Sequence, residues 1–252
     1  MMQKTMFALL ALLGVASSPA RAAPTEIVVR VISQDAKFVG DTMGGAEVVL
    51  RDATSGKVLA QGVTRGGTGD TALIMAATGR SPVRSSQTAA AFRTVLDISK
   101  PTLVRVDIRG PLSFPQTMQR ASSERWLIPG QSASTGDGWV IELPGLAIRM
   151  AAITPNVFRR GQPSKLTAEV QLMCGCPITA GGMWEAAQYE VTAELRKQGA
   201  ATERLSLDFV DAPGRFAADW TPAAAGNAQL LIIARNRVTG NTGVLTQRVS
   251  VR

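Results

Sequence analysis

The residues best suited to chemistry lie in one short segment, which contains both cysteines of the chain as Cys174-Gly175-Cys176. Met173, Met183 and Trp184 flank this pair. Thiols and thioethers are soft metal donors and redox-active groups. The segment therefore leaves three kinds of site open.

The first alternative is a small-ring disulfide between Cys174 and Cys176, because an exported protein with only two thiols usually oxidises them. Residues spaced i and i+2 in a straight strand lie about 6.6 Å apart, near the upper limit for a bridge. Gly175 and Pro177 allow the chain to bend and close that distance. Such a bridge would hold the loop in shape.

The second alternative is a soft-metal site, in which Cys174, Cys176 and Met183 bind Cu(I) without any histidine. The third is a pair of free catalytic thiols. Cys-x-Cys lacks the helix N-terminus that lowers the thiol pKa in Cys-x-x-Cys oxidoreductases, which argues against this third alternative. No Cys-x-x-Cys-His motif is present, so covalent c-type haem is excluded.

Histidine is absent from the whole chain, which removes His-dependent triads, His general bases and His metal ligands at once. The glycine-rich stretch Gly66–Asp70 lacks the Lys-Ser/Thr pair and the helix that a phosphate-binding loop needs, so it predicts a wide turn. No other motif indicates catalysis. The sequence therefore predicts a protein that is not an enzyme.

The chain is basic, with a net charge of +8 from 27 basic and 19 acidic residues. A basic excess favours weak contact with anionic polymers or lipid headgroups. The sequence contains no run of Lys and Arg and no basic stripe interleaved with aromatic residues, so we do not expect nucleic-acid binding.

Short stretches of alternating apolar and polar residues fill the chain from Thr25 onward, separated by turn residues. Many short strands with such turns are typical of β-sandwiches and barrels. We predict an all-β fold of two consecutive β-sandwich domains, at residues 23–147 and 148–252. Pro144-Gly145 and the small residues Ala151-Ala152 mark the joint.

In the second domain, the alternation also predicts which side chains are buried. Polar residues between the apolar ones, such as Thr167 and Glu190, are expected to face solvent. The predicted core residues are Val170, Leu172, Tyr189, Leu207, Phe209, Trp220 and Ile232.

The first domain contains a turn-and-strand pattern in Gly45–Asp52, Thr54–Lys57 and Gly62–Thr64. This pattern resembles the transthyretin-like, carboxypeptidase-regulatory type of β-sandwich module. The chain departs from that type at Gly66–Ser86, which is longer than such modules usually carry. The resemblance implies a non-catalytic accessory or binding role.

The second domain contains the run Gly214–Pro222, followed by Gly226 and by Ile233–Gly240. These residues resemble the last three strands of bacterial Ig-like and filamin-like domains. The resemblance is architectural, so it implies a fold and transfers no catalytic residues.

The N-terminus has the pattern of a cleaved signal peptide, residues 1–22. Lys4 precedes the apolar run Met6–Ala16, and Ala20-Arg21-Ala22 is a small-x-small cleavage site, so the mature chain should begin at Ala23. The apolar run is too short to span a bilayer, and no later segment predicts a transmembrane helix. We expect a periplasmic or secreted bacterial protein.

The predicted strand order joins the cysteine loop to a candidate binding surface. In an Ig-like sandwich, the loop after the second strand and the loop between the last two strands emerge at the same end. Cys174–Trp184 would then lie beside Arg235, Asn236 and Arg237, with Trp184 as the anchor for a partner.

The first functional hypothesis is therefore an exported, non-enzymatic binding or adaptor protein that presents the Cys-Gly-Cys loop to another exported or envelope protein. The alternative is a periplasmic copper-binding or copper-delivery protein that uses Cys174, Cys176 and Met183. No other cofactor is expected.

Overall fold

The described part of the chain is built of β-strands, which confirms the predicted all-β class. The computed structural model describes residues 22–150, 157–197, 201–210 and 212–252. The predicted signal peptide, residues 1–22, lies outside the described residues except for its last position. Within the described ranges, no helix is long and apolar enough to cross a membrane.

The N-terminal half, residues 22–145, is a sandwich of two sheets. One sheet has the strand order β3-β2-β5-β6, and the other has the order β4-β1-β7 with β1 parallel to β7. Apolar side chains from both inner faces, such as Val29 and Val106, form one core. The strands are β1 (Ala23–Ser33), β2 (Glu47–Asp52), β3 (Val58–Val63), β4 (Phe92–Ile98), β5 (Thr102–Gly110), β6 (Gln119–Leu127) and β7 (Trp139–Leu143).

The central strand β1 is buried on both faces from Ile27 onward. Its inner face joins the N-terminal core, and its outer face is covered by the segment between β3 and β4. That segment contains one short helix, α1 (Thr71–Met75), which begins at the N-cap Asp70. Ile74 of α1 packs with Ile32 of β1 in a second, small apolar cluster.

The C-terminal half consists of the described residues from 146 onward, in the strand order β8-β10-β13-β12-β11-β14-β15-β9. β12 pairs first with β11 and then, from Asp208 onward, with β13. It therefore connects the two layers of the sandwich. The strands are β8 (Leu146–Met150), β9 (Val157–Phe158), β10 (Ser164–Leu172), β11 (Tyr189–Arg196), β12 (Glu203–Phe209), β13 (Arg215–Trp220), β14 (Gly226–Asn236) and β15 (Thr242–Val251).

The predicted core of the C-terminal half is buried at every position except Phe209. Phe209 is half-buried and packs against the edge of the core, with its ring 5.6 Å from the Phe216 ring. It lies where β12 leaves β11 and pairs with β13, so its inner face is only partly covered. Strand alternation predicted that the Phe209 side chain faces the core, but it did not predict how far neighbouring residues would cover it.

The two halves contact each other through buried residues. Met173, which directly follows β10, packs in the N-terminal core, and Ala36 packs in the C-terminal core. The buried Asn241 Oδ1 accepts a hydrogen bond from the Gly145 amide at 2.7 Å. The division into domains after residue 147 stays a prediction, and β8, which pairs with β10, begins just before it.

Candidate functional site

The cysteine segment forms a tight turn at the end of β10. The Gly175 amide donates to the Leu172 carbonyl at 2.8 Å, and Gly175 has a φ of +79°, which glycine adopts at little cost. The turn brings the Cα atoms of Cys174 and Cys176 to 5.4 Å, and the two sulfurs are bonded. The structure therefore supports the small-ring disulfide among the three alternatives.

This disulfide is buried rather than presented to solvent. Cys174 and Cys176 are 1% and 3% exposed and pack in the C-terminal core, while Met43 of the N-terminal half lies against Gly175. The exposed part of the loop is farther along, at Ala180, Gly181 and Met183. A partner that approaches this loop would therefore contact its outer residues and not the sulfurs.

Trp184 connects the same loop to the N-terminal half. Its ring is half-buried, and its Nε1–H donates to the Asp35 carbonyl at 3.0 Å. Asp35 has a φ of +58°, in the left-handed region that Asp tolerates better than most residues. Trp184 thus has a contact within the chain, and its use as an anchor for a partner stays a prediction.

The predicted binding residues at the end of β14 lie near the cysteine loop, but they differ in exposure and in their contacts. Arg235 is exposed on the sheet surface. Asn236 is buried, and its Oδ1 accepts hydrogen bonds from the backbone amides of Val238 (2.8 Å) and Thr239 (3.1 Å), which shapes the β14–β15 hairpin. Arg237 is exposed at the tip.

Arg237 joins the two loops. Its amide donates to the Gln188 carbonyl at 2.8 Å, and its Nη2 donates to the Ala187 carbonyl. On the other side, the Glu185 carboxylate accepts hydrogen bonds from the amides of Gly181 (2.6 Å) and Ala187 (3.1 Å). We call the surface formed by residues 177–188 and 236–241 the loop end.

A cavity of about 450 Å³ opens at the loop end, between β11 and β12. It exists because β12 separates from β11 after Leu207 in order to pair with β13. The floor is apolar and includes Val191, Phe209 and Phe216. Its volume lies within the range of small-molecule and side-chain pockets.

The rim of this cavity is mainly acidic. Glu190 and Asp208 each lie one residue beyond the last β11–β12 pair, Val191 and Leu207, where β12 leaves β11 for β13. Both are exposed, and neither forms an ion pair with any residue the structure describes, although Glu190 lies opposite Arg235 on β14. Acidic groups gathered at one cleft attract a cationic group. Arg237 is the basic residue of the lining.

Tyr189, which also lines the cavity, is largely shielded from water. It is 7% exposed, and burial raises the pKa of its hydroxyl above the ordinary value. The neutral phenol is a hydrogen-bonding group.

The copper hypothesis requires the sulfur atoms of Cys174, Cys176 and Met183 to bind one metal ion, and the structure does not place them as three free donors. Both cysteine sulfurs are bonded to each other, and Met183 is 57% exposed. Among the residues that the structure describes, no three Cys, Asp or Glu side chains lie close enough to hold a metal ion jointly. Copper binding stays a prediction for the reduced protein.

Comparison with known proteins does not assign a family. No protein-family model matches the chain, and no curated protein matches it. Among solved structures it is similar to an ICAM-5 D1-D4 ectodomain fragment, at 16% identity and a TM-score of 0.31, covering 83% of this chain and 46% of that one. It is also similar to a tetra-tandem repeat from the extending region of a large adhesion protein, at 11% identity and a TM-score of 0.30, covering 91% and 50%.

The chain spans about half the length of both solved structures. Both similarities are too distant to carry an argument about function. The description of the chain as a β-sandwich protein therefore depends on its own strands and sheets.

Proposed function

We propose that the protein is an exported, non-enzymatic binding module whose partner docks on the loop end of the C-terminal half. The cavity between β11 and β12 is the observation that carries this proposal, because it is a concave apolar site on an otherwise regular sandwich. Binding sites are commonly formed by loops held on a rigid scaffold, and this loop end has that construction.

The loops are held in place before any partner arrives. The disulfide fixes the beginning of the cysteine loop, the Trp184 indole attaches its middle to Asp35, and Arg237 attaches its end to the β14–β15 hairpin. A surface that is ordered in advance loses less conformational entropy on binding, which strengthens the complex.

Two large apolar side chains are exposed at the loop end. Met183 is 57% exposed and Val238 is 72% exposed, and each belongs to one of the two loops that Arg237 joins. Burial of such side chains by a partner removes apolar surface from water and favours association. Met also adapts to partners of different shape.

The charges of the rim indicate which chemistry the partner offers. Unpaired carboxylates at Glu190 and Asp208, beside the apolar Phe209, suit a lysine or arginine side chain with its long apolar stem. We therefore expect the partner to be another exported or envelope protein with a basic residue in its contact surface.

Export and the lack of catalysis are parts of the same proposal. A disulfide persists in an oxidising compartment such as the bacterial periplasm. Histidine is absent, and the cavity combines carboxylates, a phenol, a guanidinium and the Ser206 hydroxyl, which makes no hydrogen bond to a base among the described residues. The intact mass of exported protein tests the compartment, because a chain that begins at Ala23 has lost its leader.

Site-specific photo-crosslinking tests the binding surface. A photoreactive residue at Val238 or Met183 should give a discrete adduct in the cell envelope, whereas one at Val95, which is 55% exposed on β4, should not. Asp208→Lys should abolish the adduct by reversing a rim charge, and Asp97→Lys on β4 is the matched control. Equal adducts at Val95, or no adduct at the loop end, would contradict the proposal.

A further inference from the structure

The outward face of the sheet β3-β2-β5-β6, in the N-terminal half, carries a shallow groove of about 690 Å³. All of its cationic residues are arginines, contributed by three adjacent strands. The charged residues along it are Arg51, Arg105, Arg109, Arg120, Glu47 and Asp107. We call this surface the arginine face.

Strand register places these arginines directly opposite each other in two pairs. Arg51 of β2 is paired with Arg105 of β5, and Arg109 of β5 is paired with Arg120 of β6. Paired strands lie about 4.8 Å apart, so each pair brings two like charges together on one face. Such pairs are destabilising unless an anion is shared between them.

The carboxylates of the groove compensate only part of this charge. Asp107 contacts the Nε atoms of Arg105 at 2.8 Å and of Arg51 at 3.7 Å, and Glu124 of β6 lies opposite Arg105, so two carboxylates serve the first pair. Glu47 contacts Arg109 Nε at 2.9 Å. Arg120 forms no ion pair with a described residue, and the Arg109–Arg120 pair therefore lacks an anion between its members.

The ion pairs also organise the arginines. In each pair the closest approach to the carboxylate is through Nε, which leaves terminal nitrogens to donate to a second carboxylate, although Arg105 Nη2 also donates to Ser122 Oγ at 3.5 Å. The hydrogen bond to Asp107 raises the pKa of Arg105, so its charge is retained at every physiological pH. Side chains that are held in advance lose less entropy on binding.

An exposed tryptophan lies on the same face. Trp126 of β6 is opposite Leu103 of β5 and is 62% exposed. It has the same strand parity as Arg120, so both side chains leave the sheet on one side. Trp and Arg dominate protein-binding hot spots, whereas lysine is depleted from interfaces.

We propose that the arginine face binds an acidic polypeptide segment of a partner protein, whose carboxylates bridge Arg109 and Arg120 while an apolar residue packs on Trp126. An extended peptide repeats its outward side chains about every 6.8 Å, so residues four apart match the roughly 13.6 Å between Arg105 and Arg109, which have Asp107 halfway between them. A peptide with an acidic residue at every fourth position can therefore place carboxylates opposite these arginines and a neutral residue opposite Asp107. A uniformly charged polyanion would press against Asp107, Glu47 and Glu124. This surface does not depend on the loop-end cavity.

The test uses a fluorescent peptide with Glu at every fourth position and Thr elsewhere, at about 20 mM salt, where screening is weak. The wild-type chain should bind it, and the same peptide with Gln in place of Glu should not bind. Arg109→Gln with Arg120→Gln should weaken binding about tenfold, the combined effect of two exposed ion pairs. Trp126→Ala should weaken it further.

The matched control is Arg125→Gln with Arg248→Gln. It removes the same charge from exposed residues, one on the opposite side of β6 and one on β15, and should weaken binding less than about threefold. Thermal melts check that each variant folds. Arg120→Gln alone breaks no described ion pair and is the reserve variant.

Three results would overturn the proposal. One is an equal loss in both double variants, which would show a response to net charge alone. Another is tighter binding of sulfated dextran than of the peptide, measured by displacement at equal total charge. That result would indicate that the face binds a polysaccharide. The last is a folded wild-type chain that does not bind the peptide at low salt. None of these results would affect the crosslinks at the loop end.

Discussion

The contact between Asn241 and Gly145 offers a quantitative test of how the two halves are joined. Asn241 is 3% exposed, and its Oδ1 is 2.7 Å from the Gly145 amide nitrogen in a buried hydrogen bond. Asn241→Ala would leave that amide without a partner. A buried, unsatisfied donor costs about 1–3 kcal/mol, but Asn241 Nδ2 is itself buried without a described partner and its removal offsets part of this loss, so we expect about 1 kcal/mol.

The expected loss is measurable in a thermal melt. For a chain of this size, each kcal/mol lowers the midpoint by about 2–4 °C, so Asn241→Ala should lower it by about 2–4 °C. Asn241→Leu restores the missing volume without the acceptor and should not recover the loss. The control is Asn227→Ala, an exposed position on β14, where the change should stay within about 0.5 kcal/mol. If Asn241→Ala behaves like this control, the hydrogen bond does not contribute as argued.

Three further predictions concern the core, an ion-pair cluster and the cysteine loop. Leu207→Ala, at a side chain that is 2% exposed, should cost about 2–5 kcal/mol in chemical denaturation, and a loss typical of surface sites would show that the strand phase is wrong. Hydrogen bonds from Arg196 and then Arg204 lower the pKa of Glu194, so its contribution to stability is present above the ordinary glutamate pKa and is lost as pH falls through the lowered value. Glu194→Gln should therefore lower the stability at neutral and alkaline pH and flatten the acid side of the stability–pH curve, where the variant and the wild-type protein converge. Anaerobic titration of reduced protein with Cu(I) tests the metal hypothesis. Stoichiometric binding that is lost in Met183→Leu would support it, whereas no binding would leave disulfide formation as the role of Cys174 and Cys176.

Strand alternation determined much of the fold. The period-two pattern of β10 and β11 identifies which side chains of each strand are buried, because successive residues of a pleated strand point to opposite faces. The same pattern placed the cysteine loop and the β14–β15 hairpin at one end of a sandwich, and Arg237 does connect them. The close spacing of two thiols in a bendable segment made the disulfide foreseeable.

The arginine face, by contrast, had only a partial signal in the sequence, because the alternation of β5 puts Arg105, Asp107 and Arg109 on one face but does not show which strands lie beside it. The polar stretch from Gln116 to Ser123 gives no alternation, yet most of it belongs to β6. Inward-facing residues of β6, such as Ala121 and Ser123, are too small to give a hydrophobic pattern. The segment is a strand because it pairs with β5. The side-by-side arginines follow from that pairing.

Both candidate surfaces were therefore decided by tertiary structure. The cavity and the acidic residues at its rim exist because β12 changes partners between Leu207 and Asp208, and the opposed arginines exist because of strand register. Met173 shows the same limit of sequence-based prediction. Alternation predicts that its side chain points away from the C-terminal core, but only the packing of the two halves places it in the N-terminal core. Alternation is a local property that each strand carries alone, whereas register and partner choice arise from contacts between residues far apart in the chain.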